Sequence, residues 1–216
     1  MLAANEAVAR RLERAHAPFL YRIHEAPDDR GIGDLVSRLA AFGLRLPHDG
    51  ARLRSADLRV IIDKIRGKPA ERVVNILVLR SMQQARYSAY KAIHFGLASD
   101  CYTRFTSPIR RYPDLIIHRL LRRQLQFPAA ADVRLPATLE EIAERSSHCE
   151  RRAMEAERDI VSLKKCQYMA GRLGEEHQGF VVSVQPFGFF VELQDIFVEG
   201  LVHISSIADD YYQFDE

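Results

Sequence analysis

The chain has 216 residues, of which 47% are hydrophobic and 28% are charged. This composition excludes a disordered or fibrous chain. No apolar run approaches the ~18 residues that a membrane span needs, and the first residues lack the pattern of a secretory signal. We therefore expect a cytoplasmic protein without a membrane partner. The three cysteines, which lack CxxC spacing, predict neither a disulfide framework nor a zinc site.

Charge is distributed unevenly along the chain. All 31 Lys and Arg residues lie at or before Arg172, together with 20 acidic residues, whereas residues 173–216 carry nine acids and no Lys or Arg. A basic body of this kind is typical of proteins that neutralise the phosphates of a polyanion. An arginine-rich solvated surface would give the same pattern, so charge alone leaves both interpretations open.

The first hundred residues predict short helices around a short strand. Asn5 is expected to cap a helix that runs to about residue 15, and residues 19–24 alternate as a strand does. Apolar residues at helical spacing predict three further helices, which lie between Gly31 and Gly43, from Ser55, and from Pro69.

A long helix from Thr138 to about residue 170 is the best-defined predicted element. Thr138 and Glu141 form a capping box. Apolar or small residues recur at spacings of three and four and predict one seam along the helix, made of Leu139, Ile142, Ser146, Cys149, Ala153, Ala156, Ile160 and Leu163. Gly171 and Gly174 end the helix, which predicts a domain boundary near residue 173. Beyond it, residues 177–184, 188–193 and 197–204 are predicted to be strands.

Residues 94–123, HFGLASDCYTRFTSPIRRYPDLIIHRLLRR, are the most informative part of the sequence. From Arg104 to Arg123 they contain six arginines and a single acid, Asp114, with aromatic residues interleaved. Guanidinium groups bind phosphate bidentately and aromatic faces stack on bases, so the mixture predicts contact with a nucleic-acid backbone. The alternative is a solvated basic helix face whose Leu and Ile residues pack inward.

Two starts are possible for the helix in this stretch. A cap at 106–107 would begin the helix at Pro108 and place Arg110 and Arg111 in its first turn, beside free amides that favour anions. Alternatively, Pro113 is itself the first helical residue.

The histidines and cysteines predict no catalytic group. His118 lies on the inward side of the helix and is expected to be a core histidine with its hydrogen bonds satisfied, as are His24 and His94. The cysteines are expected to be small buried hydrophobic residues.

Several ordered motifs resemble one family of ribonucleases. HFGLA followed by YTRFTSPIRRYPDLIIHRLL is similar to the signature of the RNB-type catalytic domain of the ribonuclease II and ribonuclease R family, and MLAANEAVA, PFLYRIHEAP and RRAMEAERD occur in the family's order. GFVVSVQPFGFFVELQDIFVEGLVHISSI resembles the start of the S1 RNA-binding domain. The resemblance, closest to the ribonuclease R branch, implies an α+β fold. It comprises the helix-rich later half of an RNB-type catalytic domain over residues 1–172 and the first strands of an incomplete OB-type (S1) β-barrel over residues 173–216.

The resemblance also implies a processive hydrolase that degrades RNA from its 3′ end to nucleoside 5′-monophosphates with Mg²⁺. The family holds the metal with an aspartate cluster similar to DxxxxxDxDD, which lies earlier in its catalytic domain than the point where this sequence begins. The pairs at 28–29 and 209–210 lack the neighbouring acids. We therefore expect a fragment that is inactive alone, with single-stranded RNA as its partner and a monomeric full-length form.

The later half of the family's site carries over residue by residue. Arg110, in TSPIR, matches an arginine at the scissile phosphate and is expected to stabilise transition-state charge. Arg111 and Tyr112 are expected to position RNA, although Arg111 could instead pair with a carboxylate. Glu157, in AERD, matches a glutamate that contacts the terminal nucleotide. Alternatively, Glu157 forms an exposed ion pair with a neighbouring basic residue, which would be Lys164, Arg158 or Arg151.

The S1-like segment is expected to present stacking groups to single-stranded RNA. Phe187, Phe189 and His203 are its candidate RNA-binding residues, together with Phe190, and alternation should turn about half of these aromatics into the barrel core. Three interpretations of the chain remain open: part of an active nuclease, a non-catalytic RNA-binding module, or a truncated product without stable activity.

Overall fold

The computed structural model describes residues 1–47, 53–127, 135, 137–194, 196–207 and 214. The chain divides into two compact units, Met1–Arg152 and Ala153–Glu216. The division falls within the long helix Leu139–Ala170, whereas the sequence places a domain boundary after that helix. The domain ranges 1–172 and 173–216 therefore stay a prediction. Among the described residues, no helix is both long and apolar enough to cross a membrane.

The first unit combines helices with one small sheet. Its elements are α1 (Leu2–Arg14), β1 (Tyr21–Ile23), α2 (Asp29–Ala40), α3 (Ser55–Ile65), α4 (Glu71–Ser81), β2 (Arg86–Ser88), α5 (Tyr112–Gln124) and the start of α6 (Leu139–Ala170). Strands β1 and β2 pair antiparallel, with Arg22 opposite Tyr87. Together with the sheet of the second unit, this arrangement confirms the predicted α+β class.

Two apolar cores hold the first unit together. One core joins α1, α5 and the first turns of α6, and includes Leu12, Ile116 and Ile142. The other joins α2, α3 and α4 through residues such as Leu39 and Ile61. Each fully buried Leu or Ile contributes about 1.5 to 3 kcal/mol, so the predicted apolar stripes supply most of the packing energy.

The start of α1 differs from the prediction. The N-cap of α1 is Met1, so the prediction that Asn5 caps this helix is wrong. Asn5 lies inside α1 and is buried, because its side chain forms hydrogen bonds with residues about a hundred positions away. In α2, the carboxylate of Asp28 caps the helix by accepting from the N–H of Gly31, which therefore lies within the helix rather than before it.

Helix α6 begins as predicted. The N–H of Glu141 donates to Thr138 Oγ1 at 3.2 Å, and the N–H of Thr138 donates to Glu141 Oε2 at 2.9 Å, which completes the capping box. The predicted seam is buried only in the first turns of the helix. Burial on α6 ends at Ser147, and Ile160 is 58% exposed.

The second unit contains a three-stranded antiparallel sheet in the order β3 (Gly179–Gln185), β4 (Gly188–Leu193), β5 (Glu199–His203). All three predicted strands are present. Gly188 opens β4 with φ +148°, and a Cβ there would lie 2.2 Å from the carbonyl oxygen of Val202. Only glycine therefore fits this close approach of two backbones.

Candidate nucleic-acid interface

The central arginines lie on a short turn immediately before α5, which we call the arginine turn (residues 107–111). The N–H groups of Arg110 and Arg111 both donate to the carbonyl of Ser107, at 3.3 and 3.1 Å. Helix α5 begins at Tyr112 with Pro113 in its first turn, where no N–H donor is needed. The start near Pro113 is therefore correct, and the start at Pro108 is wrong. Arg110 and Arg111 precede the helix.

The two neighbouring arginines are held very differently. Arg111 donates through Nε to both carboxylate oxygens of Asp114, at 2.9 and 3.0 Å, and Asp114 is 0% exposed. This geometry matches the carboxylate alternative for Arg111, and leaves its terminal nitrogens for another acceptor. Arg110 is exposed and forms no side-chain hydrogen bond or ion pair with any residue that the structure describes. Arg110 is therefore available to an external anion.

Apolar and aromatic surface lies beside Arg110. Ile109 is fully exposed, and Tyr112 is 44% exposed. An exposed ring next to a free guanidinium group supplies stacking and charge together, which is the combination that single-stranded nucleic acids require.

The segment that leads into the arginine turn is fixed by long-range hydrogen bonds. We call residues 103–106 the strap. Thr103 Oγ1 donates to the carbonyl of Leu20 at 2.6 Å. The N–H of Phe105 donates to Asn5 Oδ1 at 3.0 Å. Two residues near the start of the chain, Leu20 and Asn5, therefore hold the strap in place.

His118 of α5 holds the strap from a third side. Its Nε2–H donates to the carbonyl of Phe105 at 2.9 Å. The rings of His118 and Phe105 also stack, with centroids 4.0 Å apart and planes 7° apart. His118 thus has the satisfied hydrogen bond expected of a core histidine.

Glu150 connects two arginines across the first unit. Its Oε2 accepts from Arg22 Nη1 at 2.5 Å, and its Oε1 accepts from Arg104 Nη1 at 2.6 Å. The Arg22 guanidinium also lies over the ring of Tyr87, 4.7 Å from its centroid. Burial lowers the pKa of Arg22. Sequence reasoning missed this cluster, because its members are 46 and 128 positions apart and no local motif marks them.

His24 and His94 contact each other in the first unit. Nδ1 of His24 accepts from the N–H of Gly96 at 3.1 Å, and Nε2 donates to the carbonyl of Gln83 at 2.7 Å. The two rings meet edge to face at 5.3 Å. Burial, reinforced by His24 and Arg22, lowers the pKa of His94 to about 4. His94 is therefore neutral at pH 7.

The cysteines are not all buried. Burial raises the pKa of Cys101 to about 11, as expected for a small core residue. Cys149 and Cys166 are exposed on α6, so the prediction is wrong for these two. The reason is that burial along α6 is confined to its first turns.

Glu157 lies in the second unit. It is exposed and lines a groove of about 450 Å³ together with Val161 and Lys165 of α6 and Glu199 of β5. Among the described residues, Glu157 forms no ion pair with Lys164, Arg158 or Arg151, the basic residues considered above. Its carboxylate is therefore available to a ligand.

The candidate aromatics of the second unit do not share one face of the sheet. His203 lies opposite Gly188 and Leu201 opposite Phe190, so His203 and Phe190 share a face. The ring of Phe187 meets that of Phe190 edge to face at 6.3 Å. Phe189 points to the other face, where it lines an apolar pocket.

The two ring nitrogens of His203 differ in their hydrogen bonding. Its Nδ1 accepts from the N–H of Ser205 at 3.2 Å, and lies 2.8 Å from the hydroxyl of the same residue. This assignment places the proton of the neutral ring on Nε2, and His203 is exposed. Among the described residues Nε2–H has no acceptor, and it is thus available as a donor on the face that His203 shares with Phe190.

The described residues do not fit a Mg²⁺ site. In that part of the chain, no group of three or more His, Cys, Asp and Glu side chains could hold a metal ion. Asp28 caps α2 and Asp29 lies in its first turn. The pair at 209–210 lies outside the described residues.

Comparison with known proteins identifies the family. The RNB domain model matches residues 1–126, and the S1 RNA binding domain model matches residues 172–216. The chain belongs to the RNB domain family. It is 45% identical to ribonuclease R 1 of Lactococcus lactis over 218 residues, which cover 100% of the chain and 27% of that relative. It is 40% identical to ribonuclease R of Escherichia coli over 225 residues, with 100% and 28% covered.

Solved structures agree with this assignment. The apo form of Mycoplasma genitalium RNase R matches with a TM-score of 0.89 and 28% identity, over 100% of the chain and 34% of that structure. Yeast Ssd1, described as a pseudonuclease, shares the fold with a TM-score of 0.71 and 23% identity, over 93% of the chain and 25% of that structure. The chain spans about 30% of the length of the curated relatives that it matches.

Proposed function

We propose that this chain forms the RNA-contacting part of a ribonuclease R-like 3′ to 5′ exoribonuclease. The observation that carries the proposal is Arg110, an exposed arginine that no described residue pairs with, on a turn closed by backbone hydrogen bonds. In this function Arg110 binds the scissile phosphate and stabilises the negative charge that develops there in the transition state. Identity of 40 to 45% to ribonuclease R sequences over the whole chain supports this function.

The other exposed groups hold the RNA. Arg111 contacts a neighbouring phosphate through its terminal nitrogens, and Tyr112 stacks on a base. Glu157 contacts the terminal nucleotide. Phe187 and His203 bind single-stranded RNA through the face that they share with Phe190, whereas the opposite orientation of Phe189 leaves it out of this surface. Mycoplasma genitalium RNase R, whose structures include complexes with single- and double-stranded RNA, supports RNA as the partner.

Hydrolysis is proposed to be processive, to release nucleoside 5′-monophosphates and to need Mg²⁺. Because the described carboxylates do not fit that metal, the ligands would lie outside the described residues. The 216-residue chain alone is proposed to bind RNA without cleaving it, because its sequence lacks the aspartate cluster that the family resemblance implies. A cytoplasmic location and a monomeric full-length form stay predictions.

Binding and cleavage can be measured together on the purified chain. Single-stranded RNA labelled at its 3′ end is incubated with Mg²⁺, and binding is recorded across a range of salt. We expect salt-dependent binding that Arg110→Ala weakens more than Arg123→Ala, an exposed arginine in the last turn of α5. Release of labelled monophosphate would contradict the proposed inactivity of the chain, and absence of binding would contradict the proposed RNA contacts.

A non-catalytic RNA-binding module is the second candidate. Its specific support is the fold shared with the pseudonuclease Ssd1, which shows that this architecture occurs without nuclease activity. The same RNA incubated with the full-length protein that carries this sequence separates the two. Monophosphate release favours the nuclease, and binding without release favours the module.

A further inference from the structure

We propose that Asn5 of α1 is a positioning residue for the arginine turn and acts through the strap. The inference rests on the proposed function, because it assigns Asn5 a role in presenting Arg110 to the scissile phosphate. Asn5 lies about a hundred positions before the turn in sequence, and its side chain is not needed to cap α1, whose N-cap is Met1.

Both polar atoms of the Asn5 side chain are hydrogen-bonded, one to the strap and one to the residue before it. Oδ1 accepts from the N–H of Phe105 at 3.0 Å, and Nδ2 donates to the hydroxyl of Tyr102 at 2.9 Å. Asn5 is only 4% exposed, so water cannot replace either bond. Asparagine is a poor helix former, and its place inside α1 is explained by these two contacts rather than by propensity.

Phe105 passes this restraint to the arginine turn. Only Thr106 separates Phe105 from Ser107, whose carbonyl accepts from the N–H groups of Arg110 and Arg111. The carbonyl of Phe105 is held in turn by His118. A shift of the Phe105 backbone therefore moves the carbonyl on which the turn closes, and small displacements of a catalytic group lower rates strongly.

Tyr102 offers a matched control. Tyr102→Phe removes the other hydrogen bond of the same Asn5 amide and leaves Nδ2 without its acceptor. It does not touch the bond between Asn5 and the N–H of Phe105. Asn5→Ala removes both bonds. Asn5→Ala is thus expected to lower the melting temperature at least as much as Tyr102→Phe does, and only Asn5→Ala should loosen the strap.

Order in the turn is measured on the 216-residue chain by ¹⁵N relaxation of the amides of residues 107–111. Asn5→Ala is expected to lower their order parameters from about 0.85 toward 0.6, with no such change in Tyr102→Phe. Should Asn5→Ala fail to fold, His118→Phe keeps a ring against Phe105, removes the bond to its carbonyl, and should loosen the same amides. Unchanged order in these variants, or equal loss in Tyr102→Phe, would overturn the proposal.

Turnover is measured in the full-length protein that carries this sequence. Asn5→Ala is expected to lower kcat about 10- to 100-fold with little change in KM. Added to Arg110→Ala, it should cause less than a further twofold loss, because the group that it positions is already absent. Equal losses in both backgrounds would overturn the positioning role. If Arg110→Ala alone leaves kcat unchanged, the proposed function fails, while the order parameters still decide whether Asn5 holds the turn.

Discussion

Arg110 and Arg111 are adjacent in sequence, yet one carboxylate separates their roles. The buried Asp114 holds the Nε of Arg111 and fixes the start of α5, whereas no described residue holds Arg110. No internal carboxylate neutralises the charge of such a guanidinium group, so it can bind an anionic ligand. The difference gives Arg111 a structural contact and supports the proposal that Arg110 makes the stronger contact with RNA.

Replacing Arg110 should therefore separate catalysis from binding. In the full-length protein, Arg110→Ala is expected to lower kcat by about 10²-fold or more with a modest loss of RNA affinity, because it removes charge stabilisation in the transition state. Single-turnover kinetics with parallel binding measurements test this, with Arg123→Ala as the control. Equal losses of affinity and turnover would make Arg110 a simple phosphate contact.

His94 should make the stability of the chain depend on pH. Its pKa of about 4 in the folded chain lies below the usual 6.5, so between these values the unfolded chain binds a proton that the folded chain does not. The free energy of unfolding is expected to fall as pH drops from about 7 to 4. His94 is partly exposed, which limits its contribution to about 1 to 2 kcal/mol. Urea unfolding measures it, and an equally steep pH dependence in His94→Phe would contradict this source.

At the residue scale, local motifs point to candidate site residues but not to the distant residues that support them. TSPIRRYP pointed to Arg110 through its arginines and its resemblance to a known signature. Asn5 was misassigned, because asparagine suits both a helix cap and a buried amide contact. Only the fold shows that Phe105, a hundred residues away, is its partner.

At the scale of an element, the start of helix α6 could be predicted from neighbouring residues, whereas its burial depends on distant ones. The capping box of Thr138 and Glu141 involves neighbours in sequence, so it could be predicted. The extent of burial could not, because spacing gives the face of a helix but not the length over which another element covers it. Glu150 was missed because its partners, Arg22 and Arg104, lie far from it in the sequence.

Glu150 is expected to contribute strongly to the stability of the first unit. Glu150→Gln removes the negative charge between Arg22 and Arg104 and leaves the buried Arg22 uncompensated. Because the Glu150 side chain is 25% exposed, we expect a loss of about 2 to 3 kcal/mol rather than the full cost of a broken buried pair. Chemical denaturation measures this loss. Glu144→Gln, an exposed glutamate of the same helix, is the control and should change stability by less than about 0.5 kcal/mol.

For the molecule as a whole, the change in periodicity near residue 173 predicted strands in the last part of the chain, and the family resemblance implied an α+β fold. The structure confirms both. The sheet register could not be predicted, because one residue of slip exchanges the two faces of a strand. This is why Phe189 was grouped with Phe187 and His203 in the sequence, whereas the register places it on the opposite face.

Thiol reactivity should report on the fold of the whole chain. Cys149 and Cys166 are exposed and are expected to react quickly with Ellman's reagent. Cys101 is buried and its raised pKa disfavours the reactive thiolate, so it should react at least about tenfold more slowly until the chain unfolds. Stopped-flow labelling of the double variant Cys149→Ser, Cys166→Ser isolates Cys101. Fast labelling of this variant in native buffer would contradict its burial.

The hydrogen bond between Asn5 and Phe105 also affects when the arginine turn can form. It joins residues 100 positions apart, so its formation closes a long loop at an entropic cost of about 4 kcal/mol for a flexible chain. Packing of α1 against α5 offsets that cost only once both helices have been synthesised and docked. A nascent chain in which α5 has not yet docked on α1 is therefore expected to carry the arginine motif without the geometry that presents it.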